Sequence, residues 1–315
     1  MTAKIYTADQ LTNEAYQQLP QRSGSFLHRL LVHSPAKARF GEQPVSKALD
    51  FGIWSHAMIL EPERFAQDYA RDFDPAAYEK LLVTAADMSA WLKERGLKVS
   101  GAKAELVQRI LDTGEKVHIE PVECAFFQGA IPGYPEGRVQ LVPPKEWDLI
   151  TAMRHAIMLD EERAKMLAGG FPELSIVTDE FKARPDLITG GQWIVNYKST
   201  LDAEPEKFCR KATDYGYPMR AVMECELFKQ AYGEYPVGYA ILAQEKDPPY
   251  LCKTFVIYDR ARGDDQPSAW TYGRQQLGAA VRLYRACRDN DVWPGLGSAE
   301  DLSVPDYIMK KAGLM

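Results

Sequence analysis

Four residues near the middle of the chain have types and spacings that suit chemistry on a phosphate: Glu173, Asp186, Asn196 and Lys198. Asn196 and Lys198 stand two apart in IVNYKS, so in a β-strand they share a face. Asp186 follows Pro185 near the end of the preceding extended run, across the turn at Gly190 and Gly191, and can sit beside that pair. Glu173 is one strand further back. Three oxygen-bearing side chains and a Lys converging on a sheet edge suit Mg²⁺ (with Mn²⁺ as the alternative). Mg²⁺ is a hard cation that takes one or two carboxylates and completes its shell with water and phosphate oxygens. Such an ion lowers the pKa of a bound water and stabilises phosphoryl charge. Lys198 can orient that water or neutralise a developing oxyanion. Acids and Lys at alternate strand positions also make an ordinary solvated sheet face, so spacing leaves both readings open.

These residues need a sheet to hold them. ELSIVTDEF (173–181), FKARPDLI and QWIVNYKST read as a β-meander of three short strands, and 237–245 and 249–259 as two more. Helical periodicity marks 23–40, with Pro35 as a stop or restart, and 46–60, with Leu49, Ile53, Trp54, Ala57 and Leu60 apolar. It continues over 146–168, ended by Gly169 and Gly170, and over 214–232 and 264–289. This order predicts an α/β or α+β body with a central mixed sheet flanked by helices. His56 lies on the second helix, two residues after Trp54, where a packed histidine is the plain reading.

Residues 84–114 form a small unit of their own. Met88, Trp91 and Leu92 share a helical face, Gly96 ends that helix, GLKVSG makes a loop, and 102–111 form a second helix with Leu106, Ile110 and Leu111 apolar. About 30 residues are too few for a large core. The Gly/Pro-rich stretch GAIPGYPEGRVQLVPPKE, within 115–145, reads as a connector.

The chain has 315 residues, 46% of them apolar and 26% charged, which excludes a disordered or fibrous chain and predicts one to three domains. A net charge of -6 excludes a protein that coats nucleic acid by bulk charge. A local basic groove or a bound divalent ion can still hold phosphates. Five Cys with no CxxC pair point to a reducing compartment. With no signal-like start and no apolar run near the ~18 residues of a membrane helix, a soluble cytoplasmic protein without membrane contact is expected. No P-loop, GxSxG, HExxH or GxGxxG motif occurs. Tyr215, Tyr217, Tyr232, Tyr235 and Tyr239 can stack on bases, although core and interface packing is the commoner use.

The line RPD-x9-N-x-K, with a Glu thirteen residues before the Asp, resembles the PD-(D/E)xK nuclease core. More closely, the chain resembles the exonuclease VIII (RecE-type) phage and prophage recombination exonucleases. The segments SGSFLHRLLVHSPAKARF, ALDFGIWSHAMILEPERF, ELSIV, FKARPDLI, IVNYKSTLDAEPEKF, AQEKDPPY and DNDVWPG carry the likeness over most of 23–70 and 146–296. The resemblance implies a restriction-endonuclease-like core and a Mg²⁺-dependent exonuclease that acts on linear double-stranded DNA ends. It further implies 5′→3′ degradation to a 3′ single-stranded tail, a single-strand annealing recombinase as partner, and a ring-like homo-oligomer. By the same likeness Glu173, Asp186 and position 196 are metal-binding acids, His56 is a metal or phosphate contact and Lys198 is the catalytic Lys. Asn196 stands where the family has an acid, and Arg220 and Glu224 stand where it carries Gln and Tyr. Arg220 then becomes a DNA contact and Glu224 a candidate substitute acid.

GLKVSGAKAELVQRI resembles a SAP motif, carried by Leu92, Gly96, Gly101, Lys103, Leu106 and Arg109. Gly101 allows a tight entry to the second helix, whose amino end, with Lys98 and Lys103, can face phosphate while Arg109 adds charge. The expected organisation is therefore 1–83 as the N-terminal helical part of the nuclease domain, 84–114 as the SAP-like insertion, 115–145 as connector and 146–315 as nuclease core. Two other readings remain open: a catalytically inactive DNA-binding protein on the same fold, motivated by Asn196, and an interaction scaffold that uses the hairpin.

Overall fold

Helices enclose a strand-rich middle in the computed structural model, which describes residues 3–42, 47–134, 136–258 and 268–297. The helix starts expected at 46 and 264 and the strand end expected at 259 lie outside these residues. β1 (Lys4–Tyr6) and α1 (Asn13–Gln18) open the chain. The run expected over 23–40 is two helices, α2 (Gly24–Val32) and α3 (Pro35–Phe40). The Ser23 hydroxyl accepts the Phe26 N–H to start the first, and Ser34 and Pro35 start the second. Such caps pair or remove the amide donors that a helix start leaves orphaned. α4 (Lys47–Leu60), α5 (Pro62–Asp68) and β2 (Tyr69–Arg71) follow.

α6 (Ala85–Glu94) and α7 (Lys103–Leu111) form the expected hairpin. Thr84 and Asp87 cap α6 reciprocally, and Gly96 leaves it at φ +69°. Met88, Leu92, Leu106, Ile110 and Ile119 make a small separate core. The entry and exit of the unit run side by side: the Leu82 N–H donates to the His118 carbonyl, and the Glu120 N–H to the Leu82 carbonyl. The stretch read as connector holds two elements, α8 (Glu120–Gly129), begun by Pro121, and β3 (Gln140–Val142), parallel to β2. The helix expected over 146–168 is two, α9 (Pro144–Met158) and α10 (Glu161–Leu167), because the Asp160 carboxylate accepts the Arg163 N–H and caps a new start.

β4 (Phe171–Pro172), β5 (Ser175–Val177), β6 (Lys182–Ala183), β7 (Leu187–Ile188) and β8 (Trp193–Thr200) come next. They are followed by α11 (Pro205–Asp214), α12 (Tyr217–Tyr232), β9 (Gly238–Glu245), β10 (Cys252–Ile257) and α13 (Ala269–Asn290). The return to helix begins at Pro205, before the expected 214, where Phe208 and Ala212 give α11 a buried face. The expected meander is split between two sheets. Pro185 has no N–H to donate, so the ladder breaks there and the chain changes sheet. β5 and β6 join β1, while β7 and β8 join a five-stranded sheet of order β10-β9-β8-β7-β4.

β8 runs parallel to β9, with α11 and α12 as the crossover, and antiparallel to β7. Alternate residues of the sheet serve opposite cores, as the two-residue period requires. Ile194, Tyr239, Ile241 and Ala243 join Leu27 of α2, Val222 of α12 and Ala280 of α13. Val195, Tyr197, Ala240 and Leu242 join Ile59 of α4, Phe65 of α5 and Ile150 of α9. The fold is α/β, a mixed sheet flanked by helices with an inserted helical hairpin. Among the described residues no helix is long and apolar enough to cross a membrane.

Candidate active site

Asp186 is where these elements meet. It is buried immediately before β7, and its Oδ2 accepts the Tyr197 N–H at 2.8 Å and the Lys198 ammonium at 2.9 Å. Asn196 and Lys198 lie on the same face of β8, as strand alternation requires. His56 arrives from α4 with Nδ1 3.6 Å from Asp186 Oδ2, too long for a hydrogen bond. Its ring meets Tyr197 edge-on, with centroids 5.4 Å apart. Glu173 sits between β4 and β5; its N–H donates to the Asp186 carbonyl, and its backbone is left-handed at φ +51°. That conformation in a residue with a side chain costs on the order of 1–3 kcal/mol and gathers at functional sites. One donor atom each from His56, Glu173 and Asp186 lies within 4.8 Å of the other two.

The charges of this group are unbalanced. Burial pushes the Glu173 carboxyl up to about 8, and the neighbouring Asp186 charge adds to the effect. Burial opposes ionisation of Asp186 too, but the Lys198 ammonium, the Tyr197 N–H and the neighbouring His56 ring together outweigh it and hold that carboxyl below its usual range. Burial lowers the His56 imidazole, which stays neutral at pH 7. A neutral imidazole, an ionised carboxylate and a second carboxyl that gives up its proton reluctantly form a donor set that a cation would relieve. Mostly oxygen with one nitrogen, the set fits Mg²⁺ or Mn²⁺.

Asn196 departs from an acidic site in an ordered way. It is buried, and its Nδ2 donates to Glu224 Oε2 at 3.0 Å and to the Tyr239 hydroxyl at 2.8 Å. The Tyr239 hydroxyl in turn donates to Glu224 Oε2 at 3.1 Å. Burial and the Asp186 charge push the Glu224 carboxyl up to about 7. A carboxylate from α12 therefore stands against the amide at position 196. Arg220, one turn earlier on α12, donates to the Ser25 hydroxyl at 3.3 Å and lies over the Tyr217 ring.

A cavity of about 500 Å³ contains Glu173, Asp186, Asn196, Lys198, Arg220 and Glu224. Tyr16, Lys182 and Arg184, which the sequence reading missed, form another part of its wall. Lys182, Arg184 and Asp186 alternate in KARPD, a spacing that could have placed the three together. The Lys182 ammonium donates to the carbonyls of Tyr16 and Leu19 at the end of α1, and Arg184 donates to the Leu11 carbonyl. Nothing local in the sequence marks Tyr16. Tyr239, read as a stacking candidate, is instead a buried hydrogen-bonding residue, because alternate positions of β9 face a packed core.

On the hairpin, Lys98 is exposed and the Lys103 ammonium pairs with Glu120 at 3.0 Å. Arg109, expected to add charge for DNA binding beside Lys98 and Lys103, turns Nη1 inward and donates to the Lys98 carbonyl at 2.8 Å and the Ser100 carbonyl at 3.3 Å. It braces the GLKVSG loop. Gly101 is at φ +142°, a backbone conformation that residues with a side chain rarely adopt, so the tight entry to α7 favours glycine.

No curated protein matches the chain. Among solved structures it is similar to a chain from Eubacterium rectale named "putative exonuclease", at 14% identity and a TM-score of 0.49, over 97% of this chain and 99% of that one. Residues 82–113 match the SAP domain family. Residues 135–303, more than half of the chain, match the family described as PDDEXK-like domain of unknown function (DUF3799), and the chain belongs to that family.

Proposed function

We propose that this protein is a divalent-metal-dependent exonuclease of the exonuclease VIII type, acting on the ends of linear double-stranded DNA. The observation that carries the proposal is the meeting of His56, Glu173 and Asp186 within 4.8 Å, with the two carboxyls lining a cavity that Lys198 also lines. His56, Glu173 and Asp186 would hold Mg²⁺ or Mn²⁺, with the Asn196 amide as a neutral neighbour. Such an ion, when bound, supplies Lewis acidity to the phosphate and to the attacking water. The protein's own part is electrostatic and positional. Asp186 anchors the Lys198 ammonium at 2.9 Å, which keeps a positive charge where a phosphoryl oxyanion develops. The backbone bond from Glu173 to Asp186 fixes the two carboxyls relative to each other.

The organisation 1–83, 84–114, 115–145 and 146–315 belongs to the same proposal, with the hairpin gripping phosphates through Lys98 and Lys103. Degradation in the 5′→3′ direction, transfer of the 3′ tail to an annealing recombinase, assembly into a homo-oligomer and a cytoplasmic setting rest on the resemblance. Digestion of an end-labelled linear duplex with Mg²⁺ or Mn²⁺ tests the reading, with Lys198→Ala as control. Shortening from the 5′ ends, lost in Lys198→Ala, supports it. A second reading, DNA binding without hydrolysis, is favoured by one observation: position 196 carries an amide tied to Glu224. Intact duplex with this chain and with Asn196→Asp, in either ion, would remove the exonuclease reading, and binding of that duplex would then support the second reading.

A further inference from the structure

A groove of about 630 Å³ adjoins the cavity and shares Ser25, Arg29, Tyr217 and Arg220 with it. One wall comes from α2 and the segment after it, with His28, His33 and Lys37. The other is Tyr215 and Tyr217 at the junction of α11 and α12. Gly216, between the two tyrosines, is at φ +67°, and a Cβ there would lie 2.2 Å from the His28 ring. Glycine therefore lets the two walls approach this closely. The tyrosine rings are near-parallel, 23° apart with centroids separated by 6.0 Å, and Tyr215 is 56% exposed. Arg220 lies over the Tyr217 ring and Lys211 over Tyr215. Lys37, Arg29 and Arg220 face the groove, with Glu42 the one acid there among the described residues. A surplus of cations along a channel with an exposed aromatic face is the chemistry of single-stranded nucleic acid binding, in which bases stack and phosphates pair.

We propose that this groove is a track for an unpaired DNA strand next to the phosphate being cleaved, with a base stacked on Tyr215. The proposal rests on the nuclease reading of the adjoining cavity, and its test is arranged to separate the two. Binding of a fluorescein-labelled dodecathymidylate is followed by anisotropy in EDTA, with an abasic oligonucleotide of equal length beside it. Tyr215→Ala should weaken binding of the base-bearing strand about fivefold or more and leave abasic binding unchanged, while Tyr215→Phe and Tyr215→Trp retain affinity. Equal affinities for the natural chain and Tyr215→Ala, or an equal loss on the abasic strand, would overturn the track. Duplex digestion with Mn²⁺ is run on the same proteins. Digestion with Tyr215-independent binding removes the track alone; Tyr215-dependent binding without digestion removes the nuclease reading and leaves a strand-binding groove.

Discussion

At position 196 an amide stands with its nitrogen 3.0 Å from a carboxylate oxygen of Glu224. Replacing it by Asp puts two acids face to face and removes the hydrogen bonds that Nδ2 donates. In EDTA, Asn196→Asp should lower stability by about 1–3 kcal/mol, read as the denaturant midpoint, and adding Glu224→Gln should restore it. The added negative charge should raise Mn²⁺ affinity about tenfold by calorimetry; unchanged affinity would show that position 196 is not near the ion. The raised carboxyls give a pH test. A carboxyl whose pKa is raised by folding binds a proton in the native state over a range where the unfolded chain does not. Its stabilising contribution is therefore full below the ordinary carboxylate range and is lost as pH rises through its native value. For Glu173 that value is about 8 and for Glu224 about 7. The melting temperature of the metal-free protein should accordingly fall between pH 5 and 8, and Glu173→Gln should flatten much of the fall. A slope unaffected by both Glu173→Gln and Glu224→Gln would show that neither carboxyl is perturbed. Of these residues, Asp186 and Lys198 were legible because they are joined by one turn and a two-residue period. The bonds among Asn196, Glu224 and Tyr239 were not, because they join β8, α12 and β9, whose adjacency only the parallel crossover creates.

Element boundaries followed caps and prolines more closely than periodicity. The apolar pattern runs on across 146–168, yet Asp160 divides it into α9 and α10. Pro185 likewise divides one expected strand between two sheets. The hairpin was legible as a whole, since Gly96 and Gly101 mark its turns and Met88, Leu92, Leu106 and Ile110 supply all of its core but Ile119, but the direction of Arg109 was not. Residue spacing does not tell a guanidinium that reaches solvent from one that folds back on carbonyls nine and eleven residues away. This distinction predicts different behaviour for two basic residues of one element. Lys98→Ala should leave the hairpin folded, weaken duplex binding equally for all sequences and reduce the slope of log affinity against log salt by about 1. Arg109→Ala leaves the carbonyls of Lys98 and Ser100 without that partner, and should lower hairpin stability in hydrogen exchange besides weakening binding. If Arg109→Ala changes the salt slope alone, with exchange rates unaltered, the guanidinium is a phosphate contact and the bracing role is wrong.

For the molecule as a whole, the proposed activity raises the question of how a chain with a net charge of -6 would hold DNA long enough to act on its end. Under that proposal two separate regions would contribute to the hold. One is a cavity with a buried acidic group and cations on its wall, and the other is a hairpin with its own small core. Tethering two weak sites makes the second contact intramolecular and raises overall affinity well above either alone, provided both can be reached at once. The geometry of the insertion allows this to be tested by excision. Leu82 and Ile119 are paired as a parallel bridge, so the body of the protein enters and leaves the hairpin at one point. A short Gly-Ser link in place of 84–117 can therefore close the gap. Leu82 and Ile119 would be changed to Ser, because removing the hairpin takes away the core that Ile119 helps to form and the apolar neighbours of Leu82. The shortened protein should keep a cooperative melt close to that of the parent. It should lose about tenfold or more in duplex affinity at moderate salt, with a shallower salt slope, because phosphate contacts are removed. Its cleavage of a saturating concentration of a short duplex should be nearly unchanged, since no residue of the hairpin lines the cavity. Equal duplex affinity before and after excision would mean that the hairpin serves a protein partner. A loss of cleavage at saturation with the melt intact would mean that it positions the DNA end, which would tie the two regions into one working site.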